Sequence, residues 1–180
     1  MGVKGTVEVY SAAPDKSYQL ANLVGIGILT EGYDGKTAWS VNPMQGNRVK
    51  SGQELLQAKI SSNFYREINI EKLYSKIEVR GVEKVGDKDA YVLVATADGI
   101  PPDTFYFDKA SGLLLRTDST AIAPEGSSPL KSFYEDYRDV DGIKVPFKLR
   151  TVLPQYELIV TFTELKNNVP IDDAKFTKPL

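Results

Sequence analysis

Apolar and polar residues alternate with a period of two along most of this chain, and Gly, Asp, Asn or Pro interrupts the alternation at short intervals. Successive side chains of a strand point to opposite faces, so this pattern specifies antiparallel strands with one dry and one wet face. Strands are predicted over Val3–Tyr10, Ser17–Gly32, Thr37–Val41, Ile77–Val85, Ala90–Thr96 and Thr104–Asp108. More follow over Leu113–Ala121, Leu130–Asp139, Ile143–Val152 and Gln155–Leu165. Asp34-Gly35 and Asp141-Gly142 are two-residue hairpin signals, because Asp-Gly tolerates the positive φ of a type I′ turn. Within Ser17–Gly32, Tyr18, Leu20, Val24, Ile26 and Ile28 share one parity, and Gly25 and Gly27, on the other, are expected to allow a bend or a close backbone approach. Asn42–Lys50 reads as a polar loop, as does the segment 123–129.

One helix interrupts the strands. Ser51 and Glu54 are spaced as a capping box, and Leu56, Ile60 and Phe64 recur at i, i+4 and i+8 as an apolar stripe. The spacing predicts a helix from Gly52 to about Tyr65, with a further turn near Ile70–Leu73. Asp172 and Asp173, after Pro170, read as the N-cap of a short turn. The predicted fold class is therefore mainly β with minor α (α+β). It has a large curved antiparallel sheet forming an incomplete β-barrel, because so wide a sheet curls. One or two helices are expected to cover the concave face. Residues 1–180 are expected to form a single domain.

Composition narrows the chemistry. The chain has no cysteine and no histidine, which removes thiol nucleophiles, Cys/His zinc sites and histidine acid–base catalysis. The net charge of −2 comes with no basic cluster, so no nucleic-acid partner is expected. No apolar run approaches the roughly 18–20 residues that span a bilayer, so no membrane-spanning helix is expected.

The most concentrated set of functional groups is EDYRDVDGIKVPF, with Glu135, Asp136, Asp139 and Asp141. Asp139-x-Asp141-Gly142 fits part of a calcium loop, but Tyr137 then stands at the first ligand position and Lys148 at the bidentate twelfth. Strand parity also puts Glu135 and Asp139 on one face and Asp136 on the other, whereas paired carboxylates must converge. The segment reads as a hairpin with Arg138 and Lys148 available to its acids. Neither a metal nor a cofactor is expected, and no catalytic residue is assigned. The glycines of VGIGILTEG lack dinucleotide-binding spacing, and Ser127-Ser128 has no histidine to activate it.

The aromatic inventory carries more. Ten Tyr, seven Phe and one Trp lie mostly on predicted strands. Trp39, Phe105, Phe107, Phe133, Phe147 and Phe162 are candidates for the dry face. A broad sheet with one good helix has little mass to fill its concave side, and such a deficit favours an apolar ligand cavity.

YDGKTAW (33–39), FDKASGLLLR (107–116), EDYRDVDGIKVPFKLR (135–150) and NNVPIDDAKFTKP (167–179) together resemble bacterial outer-membrane lipoprotein-sorting-like proteins of the LolA/LolB superfamily. The resemblance implies a half-barrel whose apolar cavity holds acyl chains in the periplasm without catalysis. It implies a cavity lining of Trp39, Leu56, Ile60, Phe64, Phe105 and Phe107. Carriers of this kind begin with a lid helix, while this chain begins at a strand. The expectation is a domain lacking that helical segment, with its signal peptide removed. The expected function is binding or carriage of a lipid-like ligand, with a lipoprotein or an envelope protein as partner. Two alternatives stay open: an accessory protein-interaction domain with a filled core, and a carboxylate-based hydrolase.

Overall fold

The computed structural model describes residues 2–44 and 46–179. The chain divides into two compact units, Met1–Leu73 with Pro170–Leu180, and Tyr74–Val169. The fold is mainly β with minor α, as the alternation predicts. The strands are shared between two open antiparallel sheets, and in neither do the end strands pair with each other.

The first unit holds a five-stranded sheet in chain order: β1 (Gly5–Ala12), β2 (Lys16–Leu23), β3 (Gly27–Tyr33), β4 (Ala38–Asn42) and β5 (Gly46–Val49). The predicted single strand Ser17–Gly32 is instead a hairpin. Gly25 at φ 81° and Gly27 at φ 112° turn the chain, and Leu23 pairs with Gly27. The Asp34-Gly35 hairpin forms with a four-residue loop rather than a two-residue one. The Asp34 carboxylate accepts from the amides of Lys36 (2.8 Å) and Thr37 (2.6 Å), which stretches the turn. Part of the predicted loop Asn42–Lys50 is strand β5, paired with β4 from Trp39↔Val49 to Asn42↔Gly46.

Helix α1 (Gly52–Ser61) follows, then α2 (Ile70–Leu73). Ser51 occupies the N-cap in extended geometry, but its side chain makes no capping bond. Glu54 does not reach back as a capping box requires. It receives both terminal nitrogens of Arg48, each at 2.7 Å. A bidentate guanidinium–carboxylate pair outcompetes a lone backbone amide for the same oxygens. The helix ends before Tyr65 because the Ser62 amide caps back to Ala58 O and Asn63 accepts from the Tyr65 amide in a local turn. The C-terminal segment adds a 3-10 turn, Asp173–Phe176, capped by Asp172, whose side chain accepts from the Ala174 amide at 2.9 Å.

The second unit is a seven-stranded sheet. It comprises β6 (Lys76–Val85), β7 (Lys88–Thr96), β8 (Asp103–Asp108), β9 (Leu114–Ala123), β10 (Gly126–Val140), β11 (Ile143–Val152) and β12 (Glu157–Thr161). Consecutive strands are neighbours from β12 through to β6. The predicted loop 123–129 is largely strand, since Ala123 pairs with Gly126 and Pro129 with Thr120. Val140 pairs with Ile143, and Asp141 (φ 53°) and Gly142 (φ 81°) form the predicted turn with both φ positive.

Candidate functional site

Cross-strand register sorts the first unit into two faces. Trp39, Gly32, Tyr18 and Tyr10 lie in one row across β4, β3, β2 and β1. The Trp39 indole lies over Gly32, where any β-carbon would collide with it, and it donates from Nε1 to the Phe176 carbonyl at 3.3 Å. Ring centroids run from Tyr10 to Tyr18 at 6.1 Å and on to Trp39 at 5.9 Å, with the Lys175 ammonium 3.6 Å from the Tyr10 centroid. Trp39 is only 1% exposed. This face is filled by the chain's own aromatic rings and its C-terminal turn.

The opposite face carries Tyr33, Ala38 and Ser40, all buried. It also carries the anchors of α1: Arg48 to Glu54, and Ser17 Oγ to Ser62 Oγ at 2.7 Å. The Arg48 guanidinium bonded to Glu54 holds that carboxyl below its ordinary range. No residue of α1 is fully buried: Leu56 is exposed and Ile60 is half-buried. Phe64, Tyr65 and Ile68, just beyond the helix, are exposed as well. Trp39 and the helical stripe Leu56, Ile60 and Phe64 therefore belong to opposite sides of one sheet.

In the second unit, Phe105 and Phe107 share a face of β8 with stacked rings 6.2 Å apart. Tyr74 closes one end of this row, edge-on to Phe105 at 5.9 Å, with its hydroxyl donating to Asp103 at 2.6 Å. Register carries the face outward in both directions: Leu93 beside Phe105, then Thr117 and Ser132, and Tyr134, Leu149 and Val160 across β10 to β12. Phe105 and Thr117 are buried, while Leu93, Phe107, Tyr134, Leu149 and Val160 are only half-buried. This is a wide, predominantly apolar and incompletely covered sheet face. Phe147 is buried on the same face, with the Arg138 guanidinium 4.4 Å from its ring.

The other face of that sheet is of a different character. Tyr106, Arg116, Phe133, Arg150 and Ile159 stand in one cross-strand row. Arg116 stacks 3.8 Å over Tyr106 and Arg150 stacks 3.9 Å over Phe133. Phe133, expected among the dry-face aromatics, lies on the face opposite Phe105, which also carries the buried cluster of Ala90, Val92 and Tyr106. Asp118 receives Arg116 at 2.7 Å, and burial pushes the Tyr106 phenol up.

The acids of the β10–β11 hairpin are separate and paired. Glu135 receives Lys148 at 2.7 Å and Arg150 at 3.4 Å, and Asp136 receives Arg138 at 2.6 Å. Those partners, Lys148 foremost for Glu135 and Arg138 for Asp136, hold both carboxyls below their ordinary range. A general acid working near neutral pH needs the opposite shift. Asp139 accepts from the Gly142 amide at 2.9 Å and fixes the turn, and Asp141 accepts from Asn167 at 3.2 Å. Among the described residues, no group of three or more acidic side chains gathers as a cation site. Among the described residues, no helix is long and apolar enough to cross a membrane.

The two sheets and their connectivity define a class, an open, mainly antiparallel β-fold with minor helix. Three solved structures are similar to it in fold. A DUF1329 family protein from Desulfovibrio piger aligns over 98% of this chain and 82% of its own at TM-score 0.61 and 18% identity. A putative outer membrane lipoprotein-sorting protein domain from Vibrio parahaemolyticus aligns over the same shares at 0.61 and 15%. A LolA superfamily protein from Nitrosomonas europaea covers 98% and 89% at 0.50 and 15%. At such identities the likeness is one of fold, and it agrees with the resemblance carried by the turn motifs. No family model matches the chain, and no curated protein matches it in sequence.

Leu93, Tyr134, Leu149 and Val160 were not singled out from the sequence. Parity within each strand does not say which of its two faces they share, and only the inter-strand register aligns them with Phe105.

Proposed function

We propose that this protein binds a lipid-like hydrophobic ligand in the cell envelope, without catalysis, on the apolar face of the seven-stranded sheet. The observation that carries this reading is the half-buried surface of Leu93, Phe107, Tyr134, Leu149 and Val160 around buried Phe105. Two of the fold neighbours, a putative outer membrane lipoprotein-sorting protein domain and a LolA superfamily protein, support the same class of ligand and a periplasmic location. An acyl chain of a lipoprotein or phospholipid fits such a face, and the partner that delivers or receives it is a lipoprotein or an envelope protein. Apolar burial supplies about 25 cal/mol per Å², before the cost of ordering the ligand. Leu56, Ile60 and Phe64 extend the proposal as a second apolar surface, on the first unit.

Organic extraction of purified protein followed by lipid mass spectrometry tests this, together with titration by a fluorescent fatty acid. Co-purifying lipid and saturable binding are expected. Their joint absence favours the second reading, an accessory protein-interaction domain. That reading draws on the Trp39 face, which the chain fills with its own side chains.

A further inference from the structure

The two end strands of the seven-stranded sheet are built differently. An unpaired edge invites another strand, and proteins blunt such edges with charges and bulges. β6 has both: Lys76, Glu78, Arg80, Glu83 and Lys84 punctuate it, and the register shifts between Val79 and Gly81. β12 has no bulge and a single charge. Its sequence is Glu-Leu-Ile-Val-Thr, it pairs with β11 alone, and no described strand lies on its outer side. Three consecutive apolar residues make both of its faces apolar. Leu158 is 46% exposed, Ile159 55% and the preceding Tyr156 60%. The one charge, Glu157, is directed back to Arg150 at 3.4 Å.

We infer that β12 is a pairing edge for β12 of a second copy of this chain. Two identical antiparallel strands related by a twofold axis normal to the sheet must centre their register on a residue, because side-chain parity is preserved across the axis. Centred on Ile159, the register pairs all five residues: Ile159 with Ile159, Leu158 with Val160, and Glu157 with Thr161. No like charges oppose each other, and β-branched Ile159 meets its own copy, a favourable cross-strand pair. The row Tyr106–Arg116–Phe133–Arg150–Ile159 then runs unbroken through the axis into the second copy. A single five-residue strand pair is a small interface, so the dimer is reversible and concentration-dependent.

Sedimentation velocity of the full chain, from micromolar towards millimolar concentration, tests this. A monomer–dimer equilibrium is expected. Ile159→Lys, which sets two ammonium groups at the axis, should raise the dissociation constant at least about tenfold. Mixing I159K with Ile159→Glu should restore dimer, and Val82→Lys on β6 should behave as wild type. Circular dichroism checks that each variant is folded. If I159K does not fold, hydrogen exchange of the wild type decides: the amides of Glu157, Ile159 and Thr161, which point away from β11, must gain protection as concentration rises. A chain monomeric throughout overturns the inference, whether or not another protein's strand docks there. So does a dimer that I159K leaves intact, one that V82K abolishes, or β12 amides indifferent to concentration.

Discussion

Replacing Gly32 with alanine isolates the contact on which the first unit's filled face depends. Gly32 lies directly across from Trp39, and a β-carbon built on it collides with the Cζ2 and Cε2 atoms of the indole. The indole has no room to retreat: it is 1% exposed, is bonded through Nε1 to the Phe176 carbonyl, and has Tyr18 at 5.9 Å. Gly32 has no positive φ, so the cost is steric rather than conformational. Overpacking of this kind costs about 1–3 kcal/mol. Loss of the indole bond would add about 0.5–1.5 kcal/mol if the ring is displaced. Trp39 is the chain's single tryptophan, so its fluorescence reports this site directly during urea unfolding. We expect a lower midpoint and a red-shifted native spectrum. In a Trp39→Ala background, itself destabilised by about 3–5 kcal/mol, the alanine at position 32 should be nearly neutral. A loss below about 0.5 kcal/mol with an unshifted spectrum, or an equal loss in both backgrounds, would refute the reasoning.

Three further outcomes follow from particular contacts. Glu54→Ala leaves the Arg48 guanidinium without its bidentate partner in a partly buried site, and urea unfolding should show a loss of about 1.5–3 kcal/mol. Gly142→Ala meets no neighbouring atom, so its expected cost of about 1–2 kcal/mol is that of holding alanine at φ 81°, measured by the same assay. Asp108 accepts from the Ser111 hydroxyl, the Ala110 amide and Lys88, which hold its carboxyl below the ordinary range in that order. Its folded-state pKa lies below its unfolded one. The stabilisation is therefore full above the unfolded value and is lost as pH falls through the folded value. Unfolding midpoints measured into the acid range should fall less steeply for Asp108→Asn than for wild type.

The strands were legible because alternation is a local signal, and the Val140–Ile143 hairpin was legible down to its turn residues. The β2–β3 hairpin was not, because Tyr18, Leu20, Val24, Ile26 and Ile28 keep one parity straight through the turn at Gly25–Gly27. Strand β5 was hidden by its polar composition, and the capping box that the spacing predicts does not form because Arg48, brought to Glu54 by the β4–β5 pairing, takes its carboxylate. The candidate site was legible only in part. Phe105 and Phe107 read correctly as facing one way, but parity within a strand does not say which side faces its neighbour's apolar side. That is why Phe133 falls on the face opposite Phe105, and why Trp39 lies on the side of its sheet opposite the α1 anchors.

Binding to the apolar face is measured most directly by titrating the protein with fluorescent fatty acids of increasing chain length, beside a Phe107→Glu variant. Each buried methylene contributes about 0.8 kcal/mol, so affinity should rise about fourfold at most per added carbon until the face is covered. Phe107→Glu, which places a carboxylate beside the acyl chain, should abolish saturable binding while leaving Trp39 fluorescence unchanged. Binding that ignores chain length, or that survives a glutamate at position 107, would contradict the account.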